Sequence, residues 1–249
     1  MTQTPFGFQK VTPEEKREGV QKIFSDVSDR YDLMNDLMSG FQHRLWKKSF
    51  VADFPLKPGL KHLDVAAGTG DITAALVRRL EKNNLDYQIV ATDLNEEMLK
   101  KGQDQLFNQG LFKNIDWIHA NAERLPFESD AFDSYSIAFG IRNVSDVQAA
   151  LKESYRCLGP GGSFHCLEFS QPKSQVIKRI YDGYAFGLLP LMGKWVAKNE
   201  AAYQYLAESI ETFMAPETFC QLLEEANYQS ISVKNYACGV VRAYHAWKE

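Results

Sequence analysis

The chain has 249 residues, enough for one α/β domain with a substantial core, and 45% of it is apolar. A formal net charge of −4, with no long block of one sign, disfavours nucleic acid as a partner. The four cysteines, Cys157, Cys166, Cys220 and Cys238, form no CxxC pair and fall in expected helix or strand interiors, which suits buried thiols in a reducing compartment and implies no metal site.

The opening MTQTPFGFQK lacks the layout of a signal peptide, and no run approaches the roughly 20 apolar residues that span a bilayer. A cytoplasmic protein is expected. Thr12-Pro13-Glu14-Glu15 is a capping-box start, and Val20, Ile23, Phe24 and Val27 mark one face of the helix that follows. Residues 31–46 read YDLMNDLMSGFQHRLW, polar chemistry on short spacing among large apolar side chains. Pro55, Pro58 and Gly59 then break the chain.

From about residue 61 short apolar runs alternate with helical stretches: HLDVAA, a helix near 70–82, YQIVATD, a helix near 95–109, IDWIHA, a loop, and FDSYSIAF. This order implies a parallel sheet covered on both faces. Ser145 is the expected N-cap of a helix running to Gly159-Pro160-Gly161-Gly162, and SFHCLEFS forms another strand. Residues 172–213 interrupt the rhythm with a helical insertion. Pro216 opens a further helix, and QSISVKNY and GVVRAYHAW close as a strand pair.

Leu63-Asp64-Val65-Ala66-Ala67-Gly68-Thr69-Gly70-Asp71 falls at a strand-to-helix junction, where glycines permit a tight turn and free N–H groups favour an anion. A dinucleotide site would place a third glycine where this chain has Thr73, which argues against a nicotinamide cofactor. At the end of the next strand Asp93 can accept from both hydroxyls of a ribose, and one strand further Asn121-Ala122-Glu123 lies where an adenine edge would be read. The remaining anionic end suits a carboxylate, such as the methionine part of S-adenosylmethionine.

Two stretches together resemble the ubiquinone/menaquinone biosynthesis C-methyltransferases. Tyr31, Asp32, Met34, Asn35, Met38, Ser39, His43 and Trp46 fill every position of one family pattern. The other is Arg156-Cys157-Leu158-Gly159-Pro160-Gly161-Gly162 with Leu167-Glu168-Phe169-Ser170, where the family usually has Val and Lys at Cys157 and Gly159. Similarity also runs through Phe139-Gly140-Ile141-Arg142-Asn143-Val144 and Tyr203-Gln204-Tyr205-Leu206-Ala207-Glu208-Ser209-Ile210, covering nearly the whole chain.

The resemblance implies a Rossmann-like class I methyltransferase: an α/β fold with a seven-stranded, mostly parallel sheet. Its divisions would be a helical lid over residues 1–58, a cofactor-binding core over 59–170, a helical insertion over 171–213, and a last helix and strand pair over 214–249. It places cofactor contacts on Thr69, Asp93, Asn121, Ala122 and Ala138, beside Gly68 and Gly70 of the turn. The family commonly has a glycine at Ala67, and a side chain there is tolerable at negative φ.

The implied reaction moves a methyl group from S-adenosylmethionine to a ring carbon of a reduced polyprenylated benzoquinol or a demethylmenaquinol. A hydroquinone carbon is a weak nucleophile until a ring hydroxyl, with a pKa of about 10 by analogy with tyrosine, gives up its proton. Arg142 is expected at the mouth of the sheet as a substrate contact that stabilises the phenolate or orients a water that removes the proton, with Asn143 fixing the ring hydroxyl; the alternative for Arg142 is a surface pair with Asp146. His43 is the candidate base by its intrinsic pKa, or a brace on one helical face with Trp46 and Phe50. Asp32 and Asp36 read as exposed carboxylates on a solvated face.

Tyr31 and Asn35 are expected to contact the quinol ring from a helical lid, and Tyr31 is also a catalytic candidate. Tyr184 to Val196 reads as part of a channel for the polyprenyl tail, as a membrane-touching lip, or as a kinked core helix. The resemblance thus implies peripheral contact with the inner membrane, and other enzymes of quinone biosynthesis as partners. Competing readings are a methyltransferase for another small acceptor, such as an O-methyltransferase, and a non-catalytic scaffold of the quinone pathway.

Overall fold

In the computed structural model, which describes residues 3–27, 36, 39, 42–172, 174–188 and 200–249, the chain begins with a short hairpin of β1 (Thr4–Phe6) and β2 (Gln9–Val11). Sequence periodicity does not reveal three-residue strands, so this hairpin is an addition to the expected plan. Helix α1 (Pro13–Val27) follows, and its capping box forms as expected: Thr12 N–H donates to Glu15 Oε2 at 2.8 Å, and Glu15 N–H to Thr12 Oγ1 at 3.3 Å. Helix α2 (His43–Ala52) then leads to the sheet.

The expected alternation appears as β3 (Leu60–Val65), α3 (Asp71–Lys82), β4 (Tyr87–Asp93), α4 (Glu96–Asn108), β5 (Ile115–His119), β6 (Phe132–Ala138), α5 (Val147–Cys157) and β7 (Leu158–Phe169). Beyond it lie α6 (Gln175–Asp182), α7 (Glu200–Glu211), α8 (Pro216–Glu225), β8 (Gln229–Tyr236) and β9 (Val241–Trp247). The seven-stranded sheet has the order β5-β4-β3-β6-β7-β9-β8. Strands β3 to β7 pair in parallel, whereas β9 is antiparallel to both β7 and β8. The chain winds outward from β3 to β5 and returns to β6 beside β3, which opens a crevice at the carboxyl ends of those two strands.

Alternation along β3 builds the two faces. Leu60 joins a cluster with Phe50, Leu76, Leu80 and Ile89, while Leu63 and Val65 join one with Ile137, Leu151 and Phe164. The first face also carries buried polar groups: His62 contacts Ser136 Oγ at 2.9 Å, and His165 stacks on Phe54 at 4.1 Å. Burial pushes the His62 imidazole down to about 3 and His165 well below its ordinary value, so both are held neutral near pH 7.

Three expectations change. The N-cap of α5 is Asp146, whose Oδ1 accepts from Ala149 N–H at 2.9 Å; Ser145 instead donates its hydroxyl to the Pro13 carbonyl, tying the turn to α1. Asp36 is buried rather than solvated, and accepts from His43 Nε2 at 2.8 Å and Arg44 at 2.9 Å. Cys157 and Cys166 are buried and Cys220 half-buried, but Cys238 is exposed in a turn at φ 55°. Tyr31, Asp32, Asn35 and the segment 189–196 lie outside the described residues.

Candidate active site

The turn after β3 is shaped by hydrogen bonds from the neighbouring strand. Ala67 N–H donates to the Thr92 carbonyl at 2.9 Å, Gly70 N–H to the Ala67 carbonyl at 2.9 Å, and Gly68 N–H to Asp93 Oδ2 at 2.8 Å. Gly70 stands at φ 80°, where a Cβ would meet Leu106 at 2.8 Å and Trp117 at 2.9 Å, so backbone conformation and packing both demand glycine. Ala67 is not among the positive-φ residues, which meets the condition under which a side chain is tolerated there. The position that departs from the dinucleotide fingerprint has its own work: Thr73 donates to Asp64 Oδ2 at 2.6 Å, and Ser136 donates to Asp64 Oδ1 at 2.7 Å. These bonds lock α3 to β3 and β6, and burial pushes the Asp64 carboxyl up to about 6.

Asp93 ends β4 with both oxygens engaged, Oδ2 by Gly68 and Oδ1 by the Asn95 N–H at 2.8 Å; a carboxylate oxygen accepts more than one bond, so acceptor capacity remains. Burial pushes its carboxyl up, against backbone donors that favour the anion. Asn121 Oδ1 accepts from Glu123 N–H at 2.9 Å, and Glu123 Oε1 in turn accepts from Ser145 N–H at 2.8 Å, linking the loops after β5 and β6.

The turn after β6 is packed hard against the glycine turn, since a Cβ on Gly140 would lie 2.5 Å from that of Ala66. A single 3₁₀ turn (Ile141–Asn143) follows, and side chains from three elements, α1, β7 and α7, hold it. Lys16 of α1 is buried and donates to the carbonyls of Val144 at 2.8 Å and Arg142 at 3.3 Å, while burial pushes its ammonium down to about 8. Arg142 donates from Nη1 to Glu168 Oε1 at 2.7 Å and to the Phe139 carbonyl at 2.6 Å, and from Nε to Ser209 Oγ at 3.4 Å. The Tyr205 hydroxyl donates to Asn143 Oδ1 at 3.1 Å.

These ends meet in a cleft of about 790 Å³, open mouth included, which is in the size range of small-molecule sites. Of the residues singled out in the sequence, Gly68, Asp93, Asn121, Ala122, Ala138 and Asn143 line it. Thr69 and Gly70 are not among the lining residues; Thr69 is buried in the turn. Arg142 is neither a surface residue paired with Asp146 nor a lining residue: it is buried, in an ion pair with Glu168. His43 borders a different groove, where burial pushes its imidazole down and Asp36 opposes that shift.

The lid expected over residues 1–58 assigned no residue of α1 to the site, yet Arg17, Val20, Gln21 and Phe24 form one wall of it. The signal was present, since these positions share a helical face, but only the apolar members of that face were read.

A profile of the ubiE/COQ5 methyltransferase family matches residues 10–248. The chain belongs to the ubiE/COQ5 methyltransferase family. Within it, the ubiquinone/menaquinone biosynthesis C-methyltransferase UbiE of Rickettsia bellii is 43% identical over 249 residues, covering 100% of both chains. Its namesake from a Marinomonas species is 42% identical over 245 residues, 98% of this chain and 96% of that one. Among solved structures, a SAM-dependent methyltransferase from Aquifex aeolicus superposes with a TM-score of 0.62 at 17% identity, over 88% of this chain and 98% of its own. Sheet order and these likenesses define a Rossmann-like class I methyltransferase fold. The cofactor of this ubiE/COQ5 member is S-adenosylmethionine, and its cleft fits that molecule: Asp93 keeps acceptor capacity beside an apolar wall of Met98, Ala120 and Ala122, and Arg17 Nε is buried with no partner among the described residues.

Proposed function

We propose that this chain methylates a ring carbon of a reduced, polyprenylated quinone precursor, a benzoquinol or a demethylmenaquinol. Asp93 receives the ribose hydroxyls of S-adenosylmethionine, Asn121 and Ala122 border the adenine, the turn at Ala66 to Gly68 borders the methionine end, and Arg17 offers its free N–H to an acceptor. When bound, the cofactor would supply an activated methyl to the ring carbon, with its sulfur leaving as a thioether and the ring proton released to bulk solvent as the ring regains aromaticity. The protein's part is to align the ring, exclude water and favour the phenolate.

Asn143 is the group for that last task. The carrying observation is that it lines the cleft on the turn after β6, adjoining the residues assigned to the cofactor, while Arg142 behind it braces the turn. His43, bonded to Asp36 in another groove, is a second brace. Residues 1–58 act as a lid over the core at 59–170, with α1 as its described wall and Tyr31 and Asn35 as ring contacts; the segments 171–213 and 214–249 complete the domain. Incubation with labelled S-adenosylmethionine and a panel of reduced quinones, with the methyl located by mass and NMR, tests the reading. Transfer to a ring carbon is expected, and Asn143→Ala should lose about 10²–10³-fold in kcat while still binding cofactor. Methyl on oxygen, or full turnover by the variant, contradicts it.

A polyprenyl substrate resides in a bilayer, yet no helix of the described residues is long and apolar enough to cross one. Peripheral contact is supported by a groove between α2 and α3 lined by Arg44, Lys48, Arg78, Arg79 and Lys82, with Lys47 engaged by Asp71 at 2.7 Å, and by Leu45 of α2, which is 67% exposed. Vesicles containing anionic lipid should retain the protein on sedimentation, and Lys48→Glu with Lys82→Glu should release it. Equal retention by vesicles without anionic lipid would remove this groove from the account.

A further inference from the structure

The Asn143 side chain has two chemically opposite ends, and which one meets the substrate decides what it does to a ring oxygen. Its Oδ1 sits 3.1 Å from the Tyr205 hydroxyl. Tyr205 is buried, and its hydroxyl has no other acceptor among the described residues. Burial also pushes this phenol above its ordinary pKa, so it stays protonated and donating at working pH. Rotating the amide by half a turn would set Nδ2 against Tyr205 and leave the buried hydroxyl proton unpaired, which is the costly arrangement.

Tyr205 itself is held from two sides. Its ring packs on Phe6 of the N-terminal hairpin with centroids 4.7 Å apart, and that hairpin is pinned to α7 through Phe8 N–H donating to Glu208 Oε2 at 3.2 Å. On the other side Ser209, one turn along α7, accepts from Arg142. Asn143 lines the cleft and Tyr205 does not, so the oxygen end of the amide is consumed outside the cleft and the nitrogen end is left for its occupant. Nδ2 makes no hydrogen bond among the described residues.

We infer that Tyr205 is a positioning residue that locks the Asn143 amide with its N–H donors toward the substrate, making Asn143 an oxyanion donor and not an acceptor for a ring hydroxyl. This rests on the function proposed above and deepens it. The expectation that Asn143 fixes a ring hydroxyl is thereby narrowed: a group that only donates there favours the ionised ring oxygen, the form in which the neighbouring carbon is nucleophilic. The N-terminal hairpin gains a purpose as well, since it holds Tyr205 in place.

Tyr205→Phe removes one hydroxyl and keeps the ring packed on Phe6. We expect kcat on a reduced quinol to fall about tenfold, with KM and cofactor affinity changing less than about twofold, because a donor has lost its orientation and no contact to the substrate or cofactor has been deleted. The Asn143 side-chain amide resonances, assigned by their loss in Asn143→Ala, should shift and broaden in Tyr205→Phe. In the wild-type protein the same signals should move downfield when a phenolate-type quinol analogue binds, a measurement that needs no variant to fold. Unchanged kcat in a folded Tyr205→Phe protein, or amide signals that ignore both the substitution and the analogue, overturns the positioning role. If at the same time Asn143→Ala is impaired, the proposed function stands without it; if Asn143→Ala turns over quinol normally, the underlying reading falls instead.

Discussion

Arg142→Ala is expected to destabilise the protein by about 3–5 kcal/mol, the cost of leaving one member of a buried ion pair without its partner. The side chains of Arg142 and Glu168 are only 5% and 1% exposed, and their 2.7 Å contact is reinforced by Phe139, Ser209 and the Arg142 N–H, which donates to Glu168 at 3.3 Å. For a chain of this length the melting temperature should drop by roughly 10 °C or more. Burial already pushes the Glu168 carboxyl up, and Arg142 is the main group opposing that shift. Without the guanidinium the folded-state pKa rises further, so the deficit should be greatest near neutrality and shrink as pH falls toward the ordinary carboxylate range. Thermal melts across pH check this, and a deficit that is flat or grows in acid contradicts it. Replacing both partners by apolar residues, Arg142→Met with Glu168→Leu, should recover most of the stability. Loss of activity in Arg142→Ala alone is therefore evidence of catalysis only below the variant's melting range.

Asp93→Ala is expected to weaken S-adenosylmethionine binding by about 10²-fold or more, since with the ribose placed as proposed it removes two hydrogen bonds to a charged acceptor worth about 1.5–3 kcal/mol each. The same carboxylate receives the N–H groups of Gly68 and Asn95, so the variant also frees the glycine turn from the end of β4. Asp93→Asn keeps the shape and one acceptor oxygen, and should fall between wild type and alanine. Calorimetric titration with the cofactor measures both. An alanine variant that binds within a few-fold of wild type would remove Asp93 from the site.

The contrast between these two residues shows how far the sequence could be read. Asp93 was legible because its place depends on local pattern: a strand ending in Thr-Asp, one helix after a glycine turn, puts a carboxylate at the carboxyl edge of a parallel sheet whatever the rest does. The capping box of α1, the strand and helix rhythm from 60 to 169 and the closing strand pair were legible for the same reason, because hydrophobic period and capping act over a few residues. Arg142 was located on its turn, but its partner was not legible. Its partner Glu168 lies on the adjacent strand, 26 residues on, and only strand pairing brings the two together.

His43 makes the same point. Its helical face with Trp46 and Phe50 was visible, and all three are buried; the bond to Asp36 was not, because Asp36 read as one of two carboxylates on an open face. By itself, then, the sequence determined the order of elements, the parallel sheet with its late hairpin, the glycine turn and the acidic residue after it, all set by short-range geometry and by the alternation that buries both sheet faces. Only the tertiary structure decided that α1 walls the cleft, that Arg142 is spent on Glu168, and that the Tyr205 hydroxyl meets the Asn143 amide oxygen. Those outcomes depend on buried polar groups finding partners across long separations, and the cost of leaving one unpaired is paid or avoided only once the chain has folded.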